Sequence, residues 1–119
     1  MPTLAFDGSV IYSTAVDRRE VVYIAPSYVV DVLTTRAQTT VSTGDSHTID
    51  FTSFPSGECS HLMISLSEGD VDVVITNVSG TVTHKLTPSG MLILMNVNIT
   101  GLVITANADS VYDLIAGGV

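Results

Sequence analysis

The feature that most limits what this chain can become is a rhythm of short apolar runs, each closed by a cluster of Gly, Asn, Asp, Ser or Pro. Val, Ile and Thr fill about a third of the positions, and these residue types suit a pleated, half-buried surface. From residue 60 onward the runs recur at a spacing of about ten residues, the interval of a sandwich or barrel. The predicted strands are 9–14, 20–25, 28–34, 48–52, 60–66, 70–76, 80–87, 91–97, 101–106 and 110–116. The expected fold is all-β, an antiparallel β-sandwich of jelly-roll type, with residues 1–119 forming a single domain.

The second half is the more regular. Leu62, Ile64 and Leu66 alternate with His61, Met63 and Ser65, and Val71, Val73 and Ile75 alternate with Asp70, Asp72, Val74 and Thr76. Val82, His84 and Leu86 then oppose Thr81, Thr83 and Lys85. Turns at 67–70, 77–80 and 88–90 separate these runs, which predicts a meander with one buried and one wet face. His84 falls on the apolar side and is expected in the core or an interface. Residues 91–94 are apolar on both faces, so this strand is expected either in the centre of a two-layer core or under a neighbouring subunit.

The first half is less regular. Asp17-Arg18-Arg19-Glu20 reads as a charged turn, and 37–46 as an exposed loop or irregular edge. Pro26 ahead of Tyr28, Val29, Val32 and Leu33 would also suit a short helix, but the density of β-branched residues favours a strand over 28–34. Phe54-Pro55-Ser56-Gly57 reads as a turn.

Charge narrows the function classes. Four Lys and Arg against twelve Asp and Glu give a net charge of -8, the wrong sign for gripping phosphates, so no nucleic-acid partner is expected. No apolar run approaches the roughly 20 residues of a membrane span, and no membrane partner is expected. Residues 1–10 lack the cationic and apolar regions of a secretory signal. The sequons at Asn77 and Asn98 are then chance matches in a Thr- and Ser-rich chain. Cys59 is the one cysteine, which excludes an intramolecular disulfide and a thiolate cluster.

His47, His61 and His84 form no HxH or HExxH pair, so no metal is expected on them. Glu68, Asp70 and Asp72 form the densest acidic cluster, but no calcium-loop pattern surrounds them, and edge charges on a hairpin explain them. Cys59 and His61 would share one face of a strand, the spacing of a conceivable thiolate pair; the plainer expectation is a packed Cys59 and a His61 facing solvent or a neighbour. No GxSxG, GxGxxG or Walker pattern is present. Catalytic residues, cofactors and metals are all expected to be absent.

The runs 62–66, 71–76 and 82–94, and the ending 99–111, together resemble small β-sandwich virion proteins of tailed bacteriophages. The likeness is one of style, short Thr/Val strands between Gly/Asn/Ser turns, and spans about the last 60 residues. It implies a capsid decoration (cement) protein or another small head or tail component, assembled in the host cytoplasm and carried on the virion. The implied partners are the chain itself, as a homo-oligomer with a trimer favoured, and the major capsid protein or another virion protein. A low charged fraction (13%) and the tyrosines Tyr12, Tyr23 and Tyr28 fit an oligomer interface, for which Tyr23, Tyr28, Met91, Ile93 and Met95 are the candidate residues. The competing classes are a small carbohydrate- or receptor-binding module, weakened by seven aromatics with no Trp, and a cupin-type enzyme, weakened by the missing metal motif.

Overall fold

A computed structural model describes residues 32–118 in full and, of the segment before them, the backbone of Thr3–Ala5 (β1), Val10–Ser13 (β2), Arg18–Val22 (β3) and Ser27–Val29 (β4). Eight further strands follow: Val32–Val41 (β5), Ser46–Ile49 (β6), Cys59–Glu68 (β7), Val71–Asn77 (β8), Gly80–Leu86 (β9), Met91–Ile99 (β10), Gly101–Ala106 (β11) and Ser110–Gly118 (β12). No helix occurs among the described residues, as expected from the scarcity of helix formers.

The eight strands make two four-stranded antiparallel sheets, in the orders β10-β7-β12-β5 and β6-β11-β8-β9. Their pairings are nested: β5 with β12, β6 with β11, β7 with β10 and β8 with β9. A chain folded into one long hairpin and then rolled so that β12 also meets β7, and β11 also meets β8, has this order. It is a jelly roll. Among the described residues β1 pairs only with β4, and β2 only with β3.

Period-2 alternation decides which side chains enter the space between the sheets. Leu62, Ile64 and Leu66 from β7 meet Val71, Val73 and Ile75 from β8, with Leu102 and Ile104 from β11 and Tyr112, Leu114 and Ala116 from β12. All are buried, and at about 25 cal/mol per Å2 of apolar surface this interior is the main source of stability. Phe51 and Phe54, 5.4 Å apart, close one end of the sandwich. A Cβ on Gly118 would overlap the Phe54 ring and come 2.6 Å from the Glu58 carbonyl, so β12 needs glycine there.

Several sequence expectations change. The predicted meander reduces to one hairpin among β7–β10, the pair β8–β9; β7 leads across to the other sheet, and β9 leads back. Alternation reports a strand's faces and carries no information about its hydrogen-bonded neighbours. The crossing after β7 depends on Gly69, at φ +92, where a Cβ would come within 2.5 Å of the Asp109 carbonyl. Met91–Ile99 is an edge strand, so the central placement considered for 91–94 is not found. Residues 37–41 belong to β5 and not to a loop, although the irregular-edge reading fits: Gln38 has φ 48 and the register against β12 shifts there. Arg18–Val22 is strand where 17–20 was expected to turn. The stretch 28–34 is divided between β4 and β5.

An edge strand with uneven phase

β10 breaks its alternation to keep its apolar side chains inside. Leu92 and Leu94 pack toward the core, and strict alternation would send Asn96 and Asn98 after them. Asn96 instead adopts φ 57, the left-handed region that Asn tolerates, and the register against β7 slips between Met95 and Ile99. Past this bulge Val97 and Ile99 face inward, and both asparagines are exposed.

Candidate functional site

The structure gathers partly exposed apolar side chains around β10, on both of its faces. On the outer face of its sheet, register places Ile93 beside Met63, Met63 beside Ile115 and Ile115 beside Thr35. The next row runs Met95, His61, Gly117, Leu33, and a third begins Met91, Ser65, Asp113. Cross-strand neighbours lie about 5 Å apart, so these side chains touch. Met91 is 56% exposed and Leu33 38%, with Ile93, Met95, Met63 and Ile115 half-buried. The outer face of an antiparallel sandwich is ordinarily polar, and these apolar side chains depart from that pattern.

The inner side of β10 borders an open cleft of about 380 Å3 between the two sheets. Ile75, Val82, Leu94, Val97 and Ile99 line it, and Asn77, Ser79, His84 and Asn98 supply polar groups. It exists because β9 stands away from the opposite sheet: apart from Leu86, the whole strand is exposed, Val82 by 53%. His84 shares a face with Val82 and Leu86, as the alternation predicts, but is exposed and not in the core.

The opposite side of the sandwich, between β5 and β6, is shut. Tyr112 is completely buried there, and Arg36 Nη1 donates to its hydroxyl at 3.1 Å. The Tyr112 hydroxyl lies 2.8 Å from His47 Nδ1, and the two rings meet edge-on at 5.8 Å. Arg36 Nη1 also approaches the same Nδ1 at 3.4 Å, which assigns Nδ1 as acceptor and leaves the Tyr112 proton to it. Nothing in the sequence pattern pointed to this trio, because its members are far apart in the chain and carry no motif.

The other candidates are dispersed. His47 serves Tyr112, His61 sits on the outer face of β7, and His84 opens onto the cleft; among the described residues no three His, Cys, Asp or Glu side chains are placed to hold a metal. His61 is only 5% exposed, so of the two expectations for its ring, solvent or a neighbour, the solvent-facing one does not hold; burial lowers its pKa. Its Nδ1 lies 2.9 Å from Ser60 Oγ. The Cys59 thiol donates to the His61 backbone carbonyl at 3.2 Å, and burial pushes its pKa up to about 11. A thiol held protonated and bonded to backbone is no nucleophile.

The acidic cluster is absorbed by the fold. Asp70 accepts from Asn107 Nδ2 at 3.0 Å and pairs with Lys85 Nζ at 3.3 Å, and these two partners, Asn107 foremost, hold its carboxyl below the usual range. Asp72 stands opposite Lys85 in the β8–β9 register, and Glu68 is exposed at the end of β7. Met91, Ile93 and Met95 come together as one outward row; the side chains of Tyr23 and Tyr28, and of Tyr12, lie outside the described residues. Met63, Ile115 and Leu33 join that row without having been singled out, although Met63 was visible as an apolar residue on the outward phase of β7.

No family model matches the chain, and no curated protein does. Among solved structures, a conserved protein of unknown function from Streptococcus pyogenes is similar at 10% identity and a TM-score of 0.48, over 75% of this chain and 76% of its own. A cupin superfamily protein from Desulfitobacterium hafniense is similar at 11% identity and a TM-score of 0.48, over 77% of this chain and 83% of its own. The fold assignment rests on the strand order above and not on these likenesses.

Proposed function

We propose that this chain is a non-enzymatic structural component of a phage virion, a small capsid decoration (cement) protein that binds copies of itself and the shell. The observation that carries the reading is the apolar strip on the outer face of the β10-β7-β12-β5 sheet, running from Met91, Ile93 and Met95 through Met63 and Ile115 to Leu33. Such a strip is built to be covered by protein, and a rigid jelly roll presents it as a flat plate. The virion itself enters through the resemblance of the strand and turn style of residues 62–111. The net charge of -8 keeps free subunits soluble before docking and complements a basic patch on a shell protein.

The test is sedimentation from the native source. Migration with a megadalton particle at a fixed copy ratio supports the reading, and a low-mass species absent from every particle refutes it. A second reading, a small carbohydrate- or receptor-binding module, is favoured by the cleft beside β9, where Asn77, Asn98, Ser79 and His84 surround an apolar floor. Saturable binding on a glycan array, lost in Val82→Asp, would favour it.

A further inference from the structure

The two sheets end in four edge strands: β10 and β5 in one, β6 and β9 in the other. An edge offers unpaired N–H and C=O groups to any passing strand, and folded proteins blunt their edges with bulges, charges, proline or short length. Three of the four edges carry such a device. β6 is four residues long, β5 carries Arg36 and breaks its register around Gln38, and β9 exposes His84 and Lys85. β10 differs. Its first five residues are in unbroken register against β7, from Met91 opposite Ser65 to Met95 opposite His61, and contain no charge, proline or glycine. The bulge at Asn96 comes only after them. Among the described residues, no strand pairs with the other side of β10.

Those five residues read Met91-Leu92-Ile93-Leu94-Met95, the same sequence in both directions. We propose that β10 pairs with β10 of a second copy of this chain, antiparallel about a two-fold axis at Ile93, to give one continuous eight-stranded sheet. The proposal deepens the self-association part of the reading above and is independent of the virion. An isologous strand pair sets residue i against its mirror position, and the palindrome makes the two members of every such pair alike. Here it puts Met91 against Met95, Leu92 against Leu94 and Ile93 against itself, so every facing pair is apolar and matched in size. The same uncharged apolar edge is present on every copy of the chain. Pairing also joins the outward Met91, Ile93 and Met95 of both copies into one strip, continuous with Met63 and Ile115 on either side. Two copies each carrying -8 repel at long range, whereas the contact itself is uncharged, so added salt strengthens the association.

The test uses the purified full chain in analytical ultracentrifugation. The expected result is a reversible species of twice the 12.5 kDa chain mass that tightens as salt is raised. Ile93→Lys, which sets two ammonium groups face to face on the axis, weakens it by at least about 100-fold. Ile93→Cys provides a readout that does not depend on tolerance of the lysine. Directly opposed residues of an antiparallel pair have Cα atoms about 4.5–5.5 Å apart, within disulfide range. Mild oxidation therefore yields a covalent dimer from Ile93→Cys and little from Leu33→Cys, at the far edge of the same face. A monomer throughout the micromolar range overturns the proposal. So does a threefold mass, a dimer that Ile93→Lys leaves intact with its circular dichroism unchanged, a dimer that salt weakens, or cross-linking from Leu33→Cys as efficient as from Ile93→Cys. A dimer that never sediments with a particle refutes the virion reading alone; a particle-bound monomer refutes this one alone.

Discussion

Removing one oxygen from the closed side of the sandwich tests how that side is held. Tyr112→Phe keeps the ring, its edge contact with His47 and its burial, and deletes only the hydroxyl that accepts from Arg36 at 3.1 Å and faces His47 Nδ1 at 2.8 Å. A hydrogen bond to a charged donor contributes about 1.5–3 kcal/mol and a neutral one about 0.5–1.5 kcal/mol. Arg36 is half-buried and stays within 3.4 Å of His47 Nδ1, so it recovers part of its loss. That places the expected cost near the lower end of the sum, about 2–3 kcal/mol. With an unfolding entropy of about 2.1 cal/mol/K per residue, 1 kcal/mol corresponds to roughly 4 °C in a chain this long, so Tm should fall by about 8–12 °C. Calorimetry of the wild type, Tyr112→Phe, Arg36→Met and the double variant measures both the loss and the coupling. A Tyr112→Phe loss under about 0.5 kcal/mol, or a cycle with no coupling, would refute the claim that the trio closes the β5–β6 side.

Other outcomes follow from the same structure. Gly69→Ala forces a Cβ onto Ser110 and the Asp109 carbonyl at a φ of +92, and should cost at least about 2 kcal/mol in urea unfolding. Cys59, protonated to about pH 11 and buried, should resist iodoacetamide in the folded chain at neutral pH and react once urea unfolds it; rapid labelling of the native protein, read by mass spectrometry, would contradict the assigned environment. Asp109 accepts from the Thr43 N–H and hydroxyl, both at 2.9 Å, which hold its pKa below the ordinary value. The unfolded chain therefore takes up that proton first. The contribution is full above the ordinary aspartate range and is lost as pH falls through the lowered folded pKa. Asp109→Asn should accordingly flatten the acid limb of a stability-against-pH curve and leave its neutral region with the smaller slope it already has.

The faces of β8 and β11, of β7 from Leu62 to Leu66 and of β12 up to Ala116 could be read from the sequence because those stretches alternate, and the interior they build is the one that alternation indicates. Pairing could not be read this way. Val71–Asn77 would look the same whether it followed β7 in one sheet or crossed to the other, and the decision lies in contacts such as the Ser110 hydroxyl against the Asp70 N–H, 40 residues away. The candidate site was half legible. The two-sided apolar character of 91–94 is plain in the chain, but its edge position follows from β7 having β12 as its other neighbour. The Tyr112 trio left no trace in the sequence, since hydrogen bonds between residues 65 and 76 positions apart follow no local period.

The nesting of the pairs has a consequence for how this molecule comes into being. Val32 pairs with Gly118, and β12, made after both of its neighbours, lies between β5 and β7. On a ribosome that sheet cannot close until residue 118 has emerged, so β5 and β7 must wait with unsatisfied edges while everything between them is synthesised. Folding governed by such distant partners is slow, in the range of milliseconds to seconds. During that wait the segment from Met91 to Met95 is already complete, and on a polysome it would lie within reach of identical segments on neighbouring nascent chains.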